Sequence, residues 1–336
     1  MSTPSPQTYT YKTFTNTDGE QTAIPVDVYI PETDAQTKLT PVVWVHTGGF
    51  LQGTRRFVPP HFLRALAKHN LALLAPDFRL CPQVSILEVL EDVTDCVRWT
   101  LDPEVRAASG FTSDRVASDK YILGGSSAGG WPALLLGLGL HEQSKRLPRP
   151  PSAVFAIYAI TTVTESLAPF FYEPQKPLSW AVDGKLIEKE PIEREGHLEK
   201  CLDKDHQLLK LSSVKIRTEA PPASNPVRAA LYNFARQEGV YPTLILQDPS
   251  EAPKVCTPSL IKSGVKAATT PVLIAYGDSD PKVPHSQSLH VVDALKTVGY
   301  DDKTLLVIEE KGADHLFDME AEKEVDGMWD WLAKKL

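Results

Sequence analysis

Short, continuous apolar runs alternate with segments of helical periodicity along most of the chain. The runs of strand length are "PVVWVH", "LALLAPDF", "YILGG", "AVFAIYAI", "PVLIAYG" and "TLLVIEE". Such a run predicts a strand covered on both faces, as in a parallel sheet flanked by helices. Segments such as "FLRALAKH" and "ILEVLEDVTDCVRWTL" have apolar positions at helical spacing and are expected to pack on that sheet. The pattern predicts an α/β fold that ends in a helix over "EAEKEVDGMWDWLAKKL".

Two segments depart from this alternation. The opening "TYTYKTF" and "AIPVDVYI" alternate in polarity around the turn signal "NTDGE", which predicts an antiparallel hairpin. Residues 161–268 are charged and proline-bearing, and aromatic residues recur among them. We interpret 161–268 as a cap inserted into a core formed by residues 1–160 and 269–336.

Composition and charge narrow the possible partners. The 336 residues are 42% hydrophobic and have a formal net charge of -8, which argues against nucleic acid or an anionic membrane as the main partner. No apolar run is long enough to span a bilayer, and the start of the chain has no signal-peptide pattern. The four cysteines form no CxxC pair, so a cytoplasmic location is expected. The final "AKKL" offers a peroxisomal address only as a weak alternative.

A serine lies between glycines where a predicted strand meets a predicted helix. Gly125-Ser126-Ser127-Ala128-Gly129 fits the pattern G-x-S-x-G centred on Ser127, whereas centring on Ser126 would require glycine at position 128. Such a turn strains the serine backbone and lifts its hydroxyl above the sheet, next to a helix N-terminus. Ser127 is therefore the candidate nucleophile, with a glycine-rich helix cap as the alternative interpretation.

A serine nucleophile requires a base and an acid that orients the base, and the chain order expected for this turn is serine, acid, histidine. The loop in "YGDSDPKVP" offers Asp280 as the acid, because Asp280 lies further out than Asp278, which suits a turn cap. The loop after the next predicted strand supplies His315 as the base. His285 is the rival, but it precedes that strand.

An early strand ends in a second pair of glycines. In "HTGGF", the backbone N–H groups of Gly48 and Gly49 are predicted to converge on an anion. Together with the N–H of Ala128, they would form the oxyanion hole that stabilises a tetrahedral intermediate.

These motifs together resemble those of the α/β-hydrolases in the hormone-sensitive-lipase-like branch. The matching pieces are "HTGGF", "DFRLCPQ" with "LEDV" downstream, "GSSAGG", "GDSDP" and "GADHLF". The resemblance implies an α/β-hydrolase fold with an eight-stranded, mostly parallel sheet, no metal, no cofactor, and carboxylester hydrolysis through an acyl-enzyme. It implies the following site residues: the nucleophile Ser127, the acid Asp280, the base His315 and the oxyanion donors Gly48, Gly49 and Ala128.

The chain departs from that branch at three of these positions. Thr47 replaces the first glycine of the oxyanion motif, Ser126 stands where the branch usually has Asp, and Trp131 replaces a small polar residue. Phe50, Trp131 and Trp180 are candidate substrate-binding residues for an apolar group, with core packing as the alternative.

The expected substrate is a small-molecule ester or lactone, or an acyl chain bound to a carrier protein. An arylformamidase-type amidase and an acyltransferase would use the same side chains. A non-catalytic small-molecule receptor, resembling the plant gibberellin receptors, is disfavoured because those receptors lose the catalytic histidine, whereas His315 is present.

Overall fold

Eight strands form one sheet in the computed structural model, which describes residues 4–15, 19, 21–181, 184–187, 226–264 and 270–336. The strands are β1 (Gln7–Thr15), β2 (Gln21–Tyr29), β3 (Thr40–Val45), β4 (Leu71–Pro76), β5 (Ile122–Ser126), β6 (Ala153–Ile157), β7 (Val272–Gly277) and β8 (Leu305–Glu310). The described α-helices are α1 (Pro60–His69), α2 (Ile86–Leu101), α3 (Pro103–Ala108), α4 (Gly130–Gly137), α5 (Pro226–Glu238), α6 (Tyr241–Leu246), α7 (Thr257–Gly264), α8 (Ser286–Thr297) and α9 (Met328–Ala333).

The strand order across the sheet is β1-β2-β4-β3-β5-β6-β7-β8. β1 pairs antiparallel with β2, and β2 with β4, whereas every pairing from β4 to β8 is parallel. The predicted hairpin and the predicted eight-stranded, mostly parallel sheet are therefore confirmed. Because parallel strands share one carboxyl edge, the loops that follow β3, β5, β6, β7 and β8 meet at the same edge of the sheet.

The apolar runs are buried on both faces, as their lack of alternation predicted. All six residues of β3 are buried. Its Val43 packs in the cluster that includes α2 and α4, whereas its neighbours Val42 and Trp44 point to the other face and pack with α1 and α9. Helices on both faces thus fix the sheet rigidly beneath the loops at its carboxyl edge.

The last helix is shorter than predicted, and a short turn precedes the helix that follows β5. The last helix begins only at Met328, because Gly327 directly before it has a left-handed backbone with φ 75°. After β5 the chain first forms a 3₁₀ turn over 127–129, and α4 then stops at Gly137, two residues before left-handed Gly139. Pro132 lies in the first turn of α4, where its missing N–H costs little.

The predicted cap is only partly described. Helices α5, α6 and α7 belong to the interval 161–268, whereas residues 188–225, including Cys201, lie outside the described residues. The division into core and cap stays a prediction. None of the described helices is both long and apolar enough to cross a membrane. The cytoplasmic location stays a prediction.

Candidate active site

The strand-to-helix turn after β5 places Ser127 at the carboxyl edge of the sheet. Ser127 has a left-handed backbone with φ 53°, a conformation that costs a non-glycine residue about 1–3 kcal/mol. The turn is tight on both sides. A Cβ on Gly125 would lie 2.1 Å from the carbonyl oxygen of Gly129, and a Cβ on Gly129 would lie 2.0 Å from the carbonyl oxygen of Val45. The two glycines of the motif therefore allow the close approach that the serine conformation requires.

Gly125→Ala is expected to lower the free energy of unfolding by about 3 kcal/mol, because the new methyl group must displace backbone atoms of the turn. Gly139→Ala is the control. A Cβ there meets nothing within 4 Å, so only the left-handed φ should cost about 1 kcal/mol. Urea unfolding of both variants measures the difference. Equal losses would contradict the packing argument.

His315 lies between Ser127 and Asp280. Its Nε2 is 3.1 Å from the Ser127 Oγ, and its Nδ1 is 2.6 Å from the Asp280 Oδ2. The other carboxylate oxygen of Asp280 accepts hydrogen bonds from the backbone N–H groups of Lys282 and Val283, at 2.8 and 3.0 Å. With the Asp280 carboxylate accepting from Nδ1–H, Nε2 is left as the acceptor for the serine hydroxyl. The structure thus joins the three predicted side chains in one hydrogen-bonded row.

The two rival residues lie apart from this row. The Asp278 carboxylate accepts the N–H of Gly312 at 2.6 Å, and this bond lowers the pKa of Asp278. Asp278 therefore joins the loops after β7 and β8, which agrees with a turn-capping role. His285 directly precedes α8, where its ring stacks on Tyr276 at 6.0 Å between centroids.

A buried polar network lies next to His315, and the sequence pattern did not predict it. The Tyr158 ring lies 4.7 Å from the His315 ring, and its hydroxyl donates to the fully buried Asp318 carboxylate. Burial and the Asp318 charge raise the pKa of Tyr158. Asp318 is also 3.4 Å from Nε2 of His61, whose Nδ1 accepts from Trp329 at 3.1 Å. In the sequence, these residues are marked only by their positions: Tyr158 directly follows β6, and Asp318 follows His315 by three residues.

The loop after β3 has the backbone that two glycines allow. Gly48 and Gly49 have φ 124° and 62°. The carbonyl oxygen of Gly48 accepts the N–H groups of Leu51 and Gln52 at 3.2 and 3.1 Å. Within the described part of the chain, the N–H groups of both glycines donate no hydrogen bond to another backbone group. Ala128 lies in the 3₁₀ turn that starts at Ser127, so its N–H is among the first donors of that turn, which lack an acceptor inside it.

The predicted substrate-binding aromatics lie in two places. Phe50 and Trp131 are fully buried, with ring centroids 5.9 Å apart, and the Trp131 Nε1 donates to the carbonyl of Val255 at 2.6 Å. Trp180 is half-buried and donates to the Asn233 side chain at 3.2 Å. Their role in substrate binding stays a prediction. Across the described ranges, no cluster of three or more His, Cys, Asp or Glu side chains could hold a metal ion.

Two family models match parts of the chain. One, described as alpha/beta hydrolase fold, matches residues 42–183. The other, described as prolyl oligopeptidase family, matches residues 250–336. The first match includes Gly48, Gly49, Ser127 and Ala128, and the second includes Asp280 and His315.

Curated relatives include two fungal synthases. Non-reducing polyketide synthase ausA of Aspergillus calidoustus is 27% identical over 87% of this chain and 12% of its own length. Non-reducing polyketide synthase ascC of Acremonium egyptiacum is 25% identical over 90% of this chain and 14% of its own length. The chain therefore matches only a small part of these much longer proteins.

Solved structures with the same fold include fungal esterases. An esterase from Rhizomucor miehei superimposes with a TM-score of 0.62 at 15% identity, over 99% of this chain and 84% of that chain. Carboxyl esterase 2 from Tuber melanosporum gives a TM-score of 0.59 at 15% identity, over 100% and 87% of the two chains. At these identities the likeness shows the fold. Together with the family-model match over residues 42–183, it shows that the chain has the α/β-hydrolase fold.

Proposed function

We propose that this chain is a serine hydrolase that cleaves a carboxylic ester of a small, largely apolar molecule through an acyl-enzyme. The observation that supports the proposal best is the continuous row formed by Ser127, His315 and Asp280. The base is within hydrogen-bond distance of both the nucleophile and the orienting acid, as this chemistry requires. Ser127 is 3% exposed, so the reacting hydroxyl lies in a largely desolvated site.

In the first half-reaction the Ser127 Oγ attacks the ester carbonyl carbon, and its proton passes to the His315 Nε2. The new C–O bond forms as the carbonyl electron pair moves to oxygen. When the tetrahedral intermediate collapses, the leaving alcohol takes the proton from His315 and the acyl group stays on Ser127. The Asp280 carboxylate stabilises the imidazolium and keeps the ring in the tautomer that the attack needs.

In the second half-reaction a water molecule attacks the acyl-enzyme. His315 removes a proton from this water and returns it to the Ser127 Oγ, which releases the carboxylic acid. Both tetrahedral intermediates carry a negative oxygen, which the N–H groups of Gly48, Gly49 and Ala128 are proposed to stabilise. An oxyanion donor of this kind contributes about 10²- to 10³-fold to kcat.

An acyl chain held as a thioester on a carrier protein is a second candidate substrate. The polyketide synthase relatives support it, because their alignments cover most of this chain. Attack by Ser127 on a thioester would release a thiolate, which leaves more readily than an alkoxide. The remaining steps would be unchanged, so oxoester and thioester could share this site.

Labelling with a fluorophosphonate probe, followed by a substrate panel, tests the proposed function. We expect one phosphonyl group per chain, located on Ser127 by mass spectrometry of the digested protein. The panel contains p-nitrophenyl esters of graded acyl length, the matching N-acetylcysteamine thioesters, an aryl formamide, and an alcohol as an alternative acyl acceptor. Faster turnover of esters than of the formamide, with water as the main acceptor, is expected. Preferred formamide cleavage or transfer to the alcohol would instead identify an amidase or an acyltransferase.

A further inference from the structure

Two tyrosines of consecutive helices contact one residue of the proposed oxyanion hole. A Cβ on Gly49 would lie 2.4 Å from the Tyr232 ring of α5, so this ring packs directly on the Gly49 backbone. The Tyr241 hydroxyl of α6 donates to the Gly49 carbonyl oxygen at 3.1 Å. The two rings also contact each other edge to face, with centroids 6.0 Å apart. Gly49 is therefore held by a packing contact and by a hydrogen bond.

Helix α5 also contacts the next part of the loop after β3. The Arg228 guanidinium donates to the carbonyl of Leu51 at 2.9 Å and to the carbonyl of Cys81 at 3.0 Å. Arg228, Tyr232 and Arg236 are spaced four residues apart on α5, so they lie on one face of that helix. Tyr232 is 8% exposed and Arg236 is fully buried, so this face of α5 is almost inaccessible to solvent.

Arg236 connects this face to the loop that bears the proposed acid. Its two terminal nitrogens donate to the carbonyls of Phe170 and Lys282, at 3.3 and 3.4 Å. The N–H of the same Lys282 donates to Asp280. Burial raises the pKa of Tyr232, and the neighbouring Arg236 charge opposes that rise. One helix face thus contacts both loops that the proposed reaction depends on.

These contacts fix the direction in which the Gly49 N–H group points. A peptide unit is planar, so the Gly49 N–H points away from the Gly48 carbonyl. That carbonyl is held by the N–H groups of Leu51 and Gln52, and Leu51 in turn accepts from Arg228. On the other side of Gly49, its own carbonyl is held by Tyr241. Rotation of either peptide unit would break one of these bonds, because both units that flank the Gly49 Cα are hydrogen-bonded.

We propose that Tyr232 and Tyr241 are positioning residues of the oxyanion hole, which keep the Gly49 N–H aimed at the developing oxyanion. This inference rests on the proposed function and extends it, because it makes residues of the predicted cap necessary for transition-state stabilisation. Neither tyrosine needs to touch the substrate for this role. The expected signature is therefore a loss in kcat and in the affinity for transition-state analogues, with KM almost unchanged.

Tyr241→Phe tests the hydrogen bond, and Tyr121→Phe is its matched control. The Tyr121 hydroxyl also donates to a backbone carbonyl, that of Arg149, at 3.1 Å, but it directly precedes β5 at the opposite edge of the sheet. Tyr241→Phe is expected to lower kcat about 3- to 10-fold, the range for one hydrogen bond. Tyr121→Phe should leave kcat unchanged.

Tyr232→Leu and Tyr232→Phe test the packing contact. We expect Tyr232→Leu to lower kcat about 10- to 100-fold, because the N–H of Gly49 loses its alignment. Tyr232→Phe keeps the ring against Gly49 and should restore most of the activity. If Tyr232→Leu fails to fold, Tyr241→Phe decides the question, since it removes a single oxygen atom.

Inhibitor affinity separates positioning from a purely structural role. A trifluoromethyl ketone forms an adduct with Ser127 that places a negative oxygen in the oxyanion hole, whereas the matching analogue with CH₂ in place of the carbonyl binds without reacting. In Tyr241→Phe, the affinity for the ketone should fall in parallel with kcat, while the affinity for the CH₂ analogue stays constant. Equal effects in Tyr241→Phe and Tyr121→Phe, or a raised KM with unchanged ketone affinity, would overturn the inference. A wild-type protein that neither hydrolyses esters nor labels would instead contradict the proposed function.

Discussion

Ser127→Ala is expected to lower kcat/KM for p-nitrophenyl esters by about 10⁴- to 10⁶-fold. The substitution removes the hydroxyl that lies 3.1 Å from the His315 Nε2, so no acyl-enzyme can form. The fold should persist, because alanine adds no atom to the buried turn and takes the same φ of 53° at a similar cost. Ester turnover, fluorophosphonate labelling and Tm of the variant are the measurements.

Ser126→Ala is the matched control for this prediction. Ser126 is fully buried next to Ser127, but its hydroxyl accepts from the Trp44 Nε1 at 3.2 Å, hydrogen-bonds with the Tyr158 side chain, and makes no hydrogen bond to His315. This variant should keep ester turnover within about 10-fold, since only hydrogen bonds outside the row are lost. Labelling or full turnover by Ser127→Ala, or an equal loss in both variants, would remove Ser127 as the nucleophile.

The fold could be predicted from the sequence because a strand buried on both faces appears as a continuous apolar run. Val42, Val43 and Trp44 alternate between the two faces of β3, yet all three are fully buried, so the run shows no polar position. Helix ends were less predictable. The start of α9 depends on the left-handed conformation of Gly327, and a glycine in the sequence permits that conformation without requiring it.

The three residues of the proposed row were predictable because chain order and strand ends locate them. β7 ends at Gly277, so Asp278 lies directly at the turn and Asp280 lies further out in the loop. The tyrosines that contact Gly49 have no comparable pattern in the sequence. Tyr241 and Gly49 are 192 residues apart in the sequence, and their contact depends on how the predicted cap packs on the loop after β3. No local pattern encodes such a contact, because each tyrosine also fits an ordinary apolar position.

Asp280→Asn is expected to lower kcat about 10⁴-fold, with a much smaller effect on KM. Lys282 and Val283 can still donate to the side-chain oxygen of an asparagine, so the loop should keep its conformation. Its NH₂ group would then face the His315 Nδ1 and favour the tautomer with the proton on Nε2. That nitrogen could no longer accept the proton of Ser127, so the base would be lost while the geometry stays.

Asp278→Asn is the comparison that makes this result informative. Asp278 lies two residues away on the same loop, is half-buried, and accepts the N–H of Gly312, which an asparagine oxygen can also accept. The kcat of Asp278→Asn should therefore stay within about 3-fold of the wild-type value, the lower end of the range for one hydrogen bond. Steady-state kinetics on one ester, with Tm recorded for both variants, gives the answer. A large loss in Asp278→Asn with an active Asp280→Asn would reverse the assignment of the acid, and comparable losses in both would indicate that the loop acts only through its conformation.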